Sequence, residues 1–238
     1  MARAHRRVIL KVSGEAFAGR DGVPISSERA GWLAREIVAA MATGAEIGVV
    51  VGGGNILRGA VAERAGADRV TADSMGMLAT ILNGLALREA MQALGTDTRV
   101  MSAIPCGTLA EPFDPRTADA HLASGRAVVF VGGTGNPFFS TDTAAALRAA
   151  ELHADLLLKA TQVDGVYDSD PVKNPHAKRF SSLTYMDVIE RKLRVMDLTA
   201  VTLAREQGLP IVVFALAVQG NIARALTDET IGTIVKGV

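Results

Sequence analysis

The chain has 238 residues, of which 49% are apolar and 21% charged, and its 25 Lys and Arg balance its 25 Asp and Glu. That length supports a substantial core in one or two domains, and the zero net charge leaves no field to hold a nucleic-acid backbone or an anionic membrane surface. The one cysteine, Cys106, excludes an internal disulfide framework and a Cys-rich zinc module, in keeping with a reducing compartment such as the cytoplasm.

In chain order, basic residues precede Val8, Ile9 and Leu10, but Lys11 interrupts the run before a signal-peptide core could form. Residues 8–12 read as a buried strand with Lys11 near its end and Ser13-Gly14-Glu15 beyond it, where the glycine lets backbone N–H groups approach a ligand. A lysine so placed costs desolvation unless an anion meets it or its stem snorkels to solvent. A helix over 27–43 leads to a strand over 47–51 and then to Gly52-Gly53-Gly54-Asn55, a turn that opens a helix over 55–65. Such a helix start presents amides and partial positive charge to a phosphate, and Arg58, one turn in, adds a forked contact. A long helix over 71–94 carries Asp73 at its start. Its Met75, Leu78, Leu82, Leu85 and Met91, with Ala79, Gly84 and Ala86 between them, form more apolar surface than one face buries in a monomer, which suits packing against a second copy; the competing reading is a helix wholly inside one core.

A strand over 98–101, a helix over 115–124 with Asp114 as cap and Pro115 first, and a strand over 127–131 come next. The following loop, Gly132 to Asp142, combines glycines, Phe138 and Phe139, the hydroxyls of Thr134, Ser140 and Thr141, the amide of Asn136 and an acid, ahead of a helix over 141–152. That inventory can enclose a flat base, bond its edge and hold a phosphate at the helix start; a purely structural loop would bury both Phe rings and use Thr141 only as a cap. Residues 154–158 read as a strand leading into Lys159, Ala160 and Thr161. Asp164-Gly165 between apolar residues then predicts a hairpin turn that sets Tyr167 and Asp170 on a return strand. Helices over 184–190 and 197–207, the second capped by Asp197, and a strand over 211–214 complete the series.

This alternation predicts an α/β fold: a three-layer αβα sandwich with a mostly parallel central sheet, in one domain over 1–238, with ligands at the carboxyl ends of the strands where the glycines cluster. The apolar runs at 47–51 and 211–218 are far shorter than the ~20 residues that span a bilayer, so no membrane partner is expected. Neither G-x-x-x-x-G-K-[ST] nor G-x-G-x-x-G occurs, which removes the main support for P-loop and Rossmann readings.

The segments at Lys11 to Glu15, Gly52 to Asn55, Thr134 to Asp142 and Asp164 to Tyr167 resemble those of the amino-acid kinase superfamily. Nearly the whole chain resembles its bacterial UMP kinases (uridylate kinases), through Arg58-Gly59, Met75-Gly76-Met77-Leu78-Ala79-Thr80, Asn83-Gly84-Leu85-Ala86, Met101-Ser102-Ala103-Ile104-Pro105 and Val195-Met196-Asp197-Leu198. Most of the superfamily shares the opening lysine and the Asp-Gly-Val-Tyr stretch, whereas Gly-Thr-Gly-Asn-Pro-Phe-Phe at 133–139 and the Met-Gly-Met helix are particular to the UMP kinases. The resemblance implies the amino-acid kinase fold, with a UMP lobe over 1–150 and an ATP lobe over 151–238, and transfer of the γ-phosphate of ATP to UMP.

It further implies that Lys11, Val12, Ser13, Gly14, Gly54, Arg58, Thr161, Tyr167 and Asp170 contact ATP. Gly53, Asp73, Thr134, Gly135, Asn136, Pro137, Phe138, Phe139, Ser140 and Thr141 would hold UMP, with Asp73 at the ribose hydroxyls. Lys11, Arg58 and Asp142 would be catalytic: the resemblance implies that Asp142 orients Lys11 or a magnesium-bound water, while charge and placement suggest that Lys11 meets the moving phosphoryl group, Arg58 clamps phosphates and Lys159 is an additional phosphate contact. A phosphate acceptor is already anionic at pH 7 and needs no general base, so catalysis reduces to positioning and charge neutralisation. The chain has no evident protein cage for a metal, so magnesium is expected to arrive with ATP. Hexamers, activation by GTP and inhibition by UTP are implied as well; the sequence departs from the family at 18–24 and 215–222, which bears on the effector response. Competing readings are a carbamate or acetylglutamate kinase, disfavoured by Asp73 and the Phe138-Phe139 segment, and a nucleotide-binding regulator without turnover, disfavoured by Lys11, Arg58 and Asp142.

Overall fold

A computed structural model describes residues 6–20, 22–57, 66, 68–193 and 196–237. β1 (Arg7–Val12), β2 (Glu46–Val51), β5 (Ala127–Val131) and β8 (Ile211–Ala215) are buried at almost every position, the pattern of strands covered on both faces. With β3 (Thr98–Ser102), β4 (Glu111–Pro112), β6 (Leu156–Thr161), β7 (Ser182–Thr184) and β9 (Thr233–Lys236) they form one sheet of nine strands, ordered β4-β3-β5-β2-β1-β6-β8-β9-β7. Every pairing is parallel except that of β8 with β9.

Side-chain alternation along the strands splits the core in two. Leu10, Val12, Val49 and Val51 point into a layer formed by α1 (Ser27–Met41), α2 (Arg69–Gln92) and α7 (Asn221–Ala225). Ile9, Val50, Val128 and Phe130 point to the opposite layer, built by α3 (Pro115–Ala123), α4 (Thr141–Glu151), α5 (Tyr185–Glu190) and α6 (Leu198–Glu206). The three-layer αβα sandwich read from the alternation is therefore present. So are the expected caps: Asp114 accepts from the Thr117 amide at 2.8 Å with Pro115 first in α3, and Asp197 accepts from the Ala200 amide at 3.0 Å at the start of α6.

Two local expectations are corrected, a third lies mostly outside the described residues and a fourth is narrowed. The strand expected at 154–158 runs instead over Leu156–Thr161, because the Asp155 carboxylate is occupied with the Arg6 and Arg7 amides at the start of β1, and the ladder begins after it. Lys159 thereby becomes a strand residue opposite Lys11. Asp164-Gly165 is not a hairpin turn: residues 166–168 pair with 178–180, and the chain reverses at Asp170, whose carbonyl accepts from the Lys173 and Asn174 amides. Tyr167 thus lies on the outgoing arm and Asp170 at the reversal. Gly165 is required by crowding, since a Cβ there would sit 2.6 Å from Thr233 Oγ1.

Third, Gly54 to Ile56 form a turn closed by the Ile56 and Leu57 amides on the Gly53 carbonyl; the rest of the helix expected at 55–65, including Arg58, lies outside the described residues. Fourth, α2 presents a narrower apolar stripe than its composition suggested. Met91 and Ala79 are in the core, Leu85 packs against it, and Gly84 abuts the sheet so closely that a Cβ would lie 2.3 Å from Val131 Cγ1. Met75, Leu78 and Leu82 remain exposed. By length and mean hydropathy of 1.3, α2 could cross a bilayer, yet it packs against α1, β3 and β5 and uses buried Thr80 and Asn83 to hold loops, as a core helix does.

Candidate active site

Parallel strands bring the carboxyl ends of β1, β2, β5 and β6 to one edge, and the chemistry-bearing residues collect there. Lys11 of β1 and Lys159 of β6 are register partners, so both amines leave the sheet on the same side. They meet one carboxylate: Asp142, in the first turn of α4, lies 2.7 Å from Lys11 Nζ and 2.5 Å from Lys159 Nζ. Burial alone would raise the Asp142 carboxyl, but the two ammonium groups outweigh it and hold the group below the usual carboxylate range. Burial is also the largest influence on Lys159; with the like charge of Lys11 it outweighs the attraction of Asp142 and brings the amine below the ordinary lysine value. Two positive groups bridged by one negative group leave a partly buried excess of positive charge, suited to a phosphoryl group.

The base of α4 is braced from behind. Ser140 Oγ accepts from the Asp142 amide at 2.9 Å and donates to Asp197, while Thr143 Oγ1 donates to the other Asp197 oxygen at 2.9 Å. Asp197 thereby joins the starts of α4 and α6. Sequence reading saw it only as a cap.

The glycine loops touch one another. A Cβ on Gly14 would lie 2.3 Å from Asn55 Oδ1 and 2.7 Å from the Gly54 nitrogen, and one on Gly53 would lie 2.8 Å from Ala79 Cβ and the Gly76 carbonyl oxygen. These glycines serve close approach of loop to loop and of loop to helix. Gly132, Gly133 and Gly135 differ, with φ of 75°, 58° and 82° in the left-handed region. Gly132 donates its amide to Thr80 Oγ1 at 2.7 Å, tying the β5 loop to α2.

Between these loops and α2 lies a cleft with an empty volume of about 510 Å³, lined by Gly53, Gly54, Asp73, Asn136, Phe139 and Thr141 among others. Asp73 Oδ2 accepts from Arg69 Nε and from the Phe138 amide, each at 2.8 Å. Phe138 takes a φ of 72° there, strained for a side chain with a Cβ, and Arg69 stacks 5.6 Å over its ring. Phe138 and Phe139 are 65% and 50% exposed, so the reading in which they merely fill core is excluded. Thr134 and Asn136 hold the loop by local bonds, Thr134 Oγ1 accepting from the Asn136 amide at 3.2 Å, while Pro137 is half-buried.

A second cleft, with an empty volume of about 1050 Å³, opens beyond β6 and is lined by Val163, Gly165, Tyr167, Asp170, Lys173 and Lys192 among others. Tyr167 donates to Asp164 Oδ1 at 2.5 Å, and Asp170 Oδ1 accepts from the Val172 amide at 3.0 Å. Thr161, at the end of β6, donates to the Val163 carbonyl at 2.6 Å and anchors the strand exit. A shallower depression lined by Asp142, Lys159, Lys192 and Leu193 connects this cleft to the lysine pair, and Thr141 connects the pair to the first cleft. Val12 turns its side chain into the core, leaving only its backbone at the edge.

Sequence reasoning missed Asn83, Thr80 and Asp197 as site residues. The signal for Asn83 was available as an uncharged polar residue inside an apolar helical stretch.

Residues 6–215 match the sequence model of the amino acid kinase family. The chain belongs to that family. Within it, this amino acid kinase is 52% identical over 236 residues to the uridylate kinase of Magnetococcus marinus, covering 99% of this chain and 98% of the relative. It is 42% identical to the UMP kinase of Bacillus anthracis, whose crystal structure matches with a TM-score of 0.95 over 98% of this chain and 97% of that one. The UMP kinase of Ureaplasma parvum matches at 37% identity and a TM-score of 0.91, over 97% and 98% of the two chains. Family membership, with the 52% identical uridylate kinase and the UMP kinase structures, makes this chain a kinase.

Proposed function

We propose that this amino acid kinase transfers the γ-phosphoryl group of ATP to UMP, giving UDP and ADP, as a step of pyrimidine nucleotide biosynthesis. The observation that carries the reading is Asp142 held between Lys11 and Lys159, with one cleft on either side. UMP occupies the cleft of Gly53, Asp73 and the 134–141 loop: Asp73 exchanges a protein donor for the ribose hydroxyls, and the exposed rings of Phe138 and Phe139 close over the pyrimidine. ATP lies along Lys11, Val12, Ser13, Gly14, Gly54 and Thr161, with its base toward Tyr167 and Asp170. The acceptor and donor sides correspond to lobes over 1–150 and 151–238 of a single domain.

A phosphate oxygen of UMP attacks the γ-phosphorus; the new O–P bond forms as the bond to the β–γ bridging oxygen breaks, and ADP leaves with that electron pair. The nucleophile is already ionised near pH 7, so no protein base takes a proton. Lys11 and Lys159 meet the charge on the moving group, Arg58 clamps phosphate oxygens, and the amides of the Gly52–Asn55 turn form a fixed cradle. Asp142 holds both amines in place and keeps them from collapsing onto the acceptor phosphate. Among the described residues no three carboxylate, imidazole or thiolate groups converge, and Asp142 is taken up by two amines, so the donor set fits a metal ion carried by ATP phosphate oxygens. Magnesium held there would supply positive charge to the phosphates.

The same reading extends to a cytoplasmic homo-oligomer, a hexamer, in which the stripe of Met75, Leu78 and Leu82 meets its copy in a second subunit. UTP inhibits by sharing the pyrimidine and ribose of the acceptor. GTP activates from a separate place, for which the cleft lined by Arg88, Gln92 and Arg99 has the cationic side chains. A coupled ADP-release assay across UMP, CMP, AMP, thymidine monophosphate, carbamate and acetylglutamate at equal concentration tests the assignment. UMP turns over fastest; faster turnover of any other acceptor overturns it.

A further inference from the structure

We propose that Asn83 is a positioning residue for phosphoryl transfer: its buried amide aims the Gly52–Asn55 amides at phosphate and locks that loop to the helix that carries Asp73. The proposal rests on the kinase reading above. Asn83 lies within α2 with 0% exposure, at a place where an aliphatic residue would serve the core better unless the amide were fully bonded. It is fully bonded on its donor side. Nδ2 donates to the Gly52 carbonyl and to Asn55 Oδ1, both at 2.7 Å, while Oδ1 accepts from Asn55 Nδ2 at 3.0 Å. The remaining N–H of Asn55 donates to the Pro24 carbonyl at 2.7 Å. Reversing either amide would turn its oxygen toward a carbonyl, so the bonding pattern determines both orientations.

The consequence falls on the loop. Gly52 is pinned from two directions, its amide on the Val12 carbonyl at 2.9 Å and its own carbonyl on Asn83. The amides of Gly53, Gly54 and Asn55, which follow, donate to no described residue, so they are the groups left for an anion. The Asn55 side chain, held by Asn83, also packs against Gly14 of the Lys11 loop, where any Cβ would collide with Asn55 Oδ1. One buried amide pair therefore sets the spacing of the Lys11 loop, the glycine turn and the acceptor helix. Since α2 also carries Asp73 and holds the Gly132 amide through Thr80, a change at Asn83 is felt on both substrates' phosphates.

Asn83→Ala and the near-isosteric Asn83→Asp, in which an acceptor replaces the donor facing the Gly52 carbonyl, test this in the full-length enzyme. Asn55→Ala breaks the same pair from the half-buried loop side and keeps the test standing if neither Asn83 variant folds. The expected result is a kcat lower by about 10- to 100-fold and a KM for UMP raised about tenfold, in line with the sensitivity of preorganised sites to small misplacement. The inhibition constant of uridine, which lacks the phosphate, stays within about twofold, because the amides act on phosphate alone. The Asn83→Ala/Asn55→Ala double variant loses less than the sum of the two single losses, as for two partners that share one interaction and each make one further bond. Hydrogen exchange of the Ile56 and Leu57 amides, which close the turn on the Gly53 carbonyl, quickens while that of β2 and β5 does not. Uridine and UMP weakening equally, kinetics unchanged in folded variants, or additive effects in the double variant would each overturn the proposal. Absence of UMP turnover in the parent enzyme would instead overturn the proposed function, with the exchange readout still reporting on the loop.

Discussion

Lys11→Ala isolates the charge assigned to the transferred group. In the parent, two amines share Asp142 at 2.7 and 2.5 Å, so the cluster carries one net positive charge; without Lys11 the Asp142–Lys159 pair that remains is neutral. A unit charge about 4 Å from a phosphoryl oxygen contributes roughly 4 kcal/mol at an effective dielectric near 20. Loss of one preorganised donor in other enzymes costs about 2.7–4 kcal/mol, so the two approaches agree on a kcat lower by roughly 100- to 1000-fold. The KM for UMP should change less than about threefold, because Asp73 and the 134–141 loop, which hold the acceptor, are untouched and the lost interaction strengthens only as charge moves. Asp142 keeps Lys159 as counter-ion, so the fold should survive the change. The measurement is ADP release at saturating ATP and UMP, with circular dichroism and a thermal melt on the same preparation. A folded Lys11→Ala variant whose kcat stays within about threefold of the parent would refute the electrostatic role.

Leu82 is 51% exposed on the same stripe as Met75 and Leu78, so Leu82→Glu should leave the subunit core intact, dissociate the oligomer and raise the KM for UMP through the loosened start of α2. Light scattering that reports an unchanged oligomer for the variant, or a monomeric parent, rules that interface out. At alkaline pH, activity and stability should move in opposite directions. Lys159 has a folded value below the ordinary lysine value, chiefly through burial, so it loses its proton first in the folded state. Between the two values the unfolded chain binds more protons and stability rises with pH, while kcat falls as the positive charge is lost. Lys159→Arg should move the alkaline limb of kcat upward; an unchanged limb would remove Lys159 from the transfer step. In acid the sign reverses: Asp142, held low by its two lysines, contributes stability that is present above the ordinary carboxylate value and lost as pH falls through the folded one. Asp142→Asn should abolish that part of the acid unfolding.

Local chemistry was sufficient for much of this molecule. The β-branched runs at 8–12, 47–51 and 127–131 became central strands almost residue for residue, because strands buried on both faces need continuous apolar character. Asp114-Pro115 and Asp197 became helix starts because a side-chain oxygen can satisfy end amides whatever the rest of the chain does. The glycine loops and the acid at 142 also stood where strand ends had to deliver them.

What the sequence left open depends on partners distant along the chain. β9 and β7 are short strands that extend on edges offered by distant parts of the chain, β9 on β8 and β7 on β9, and β6 slipped from 154–158 to Leu156–Thr161 because Asp155 is engaged at the start of β1. Asp164-Gly165 had the composition of a hairpin turn, yet crowding by Thr233 and Arg179 set its conformation and moved the reversal to Asp170. Lys159 acquired its role only through register with Lys11, 148 positions away, and Asn83 only through contact with the Gly52 carbonyl across the sheet edge. Spacing along a chain encodes which residues share a face of one element, but which faces meet, and so which charges and amides share a site, is decided by the packing of layers.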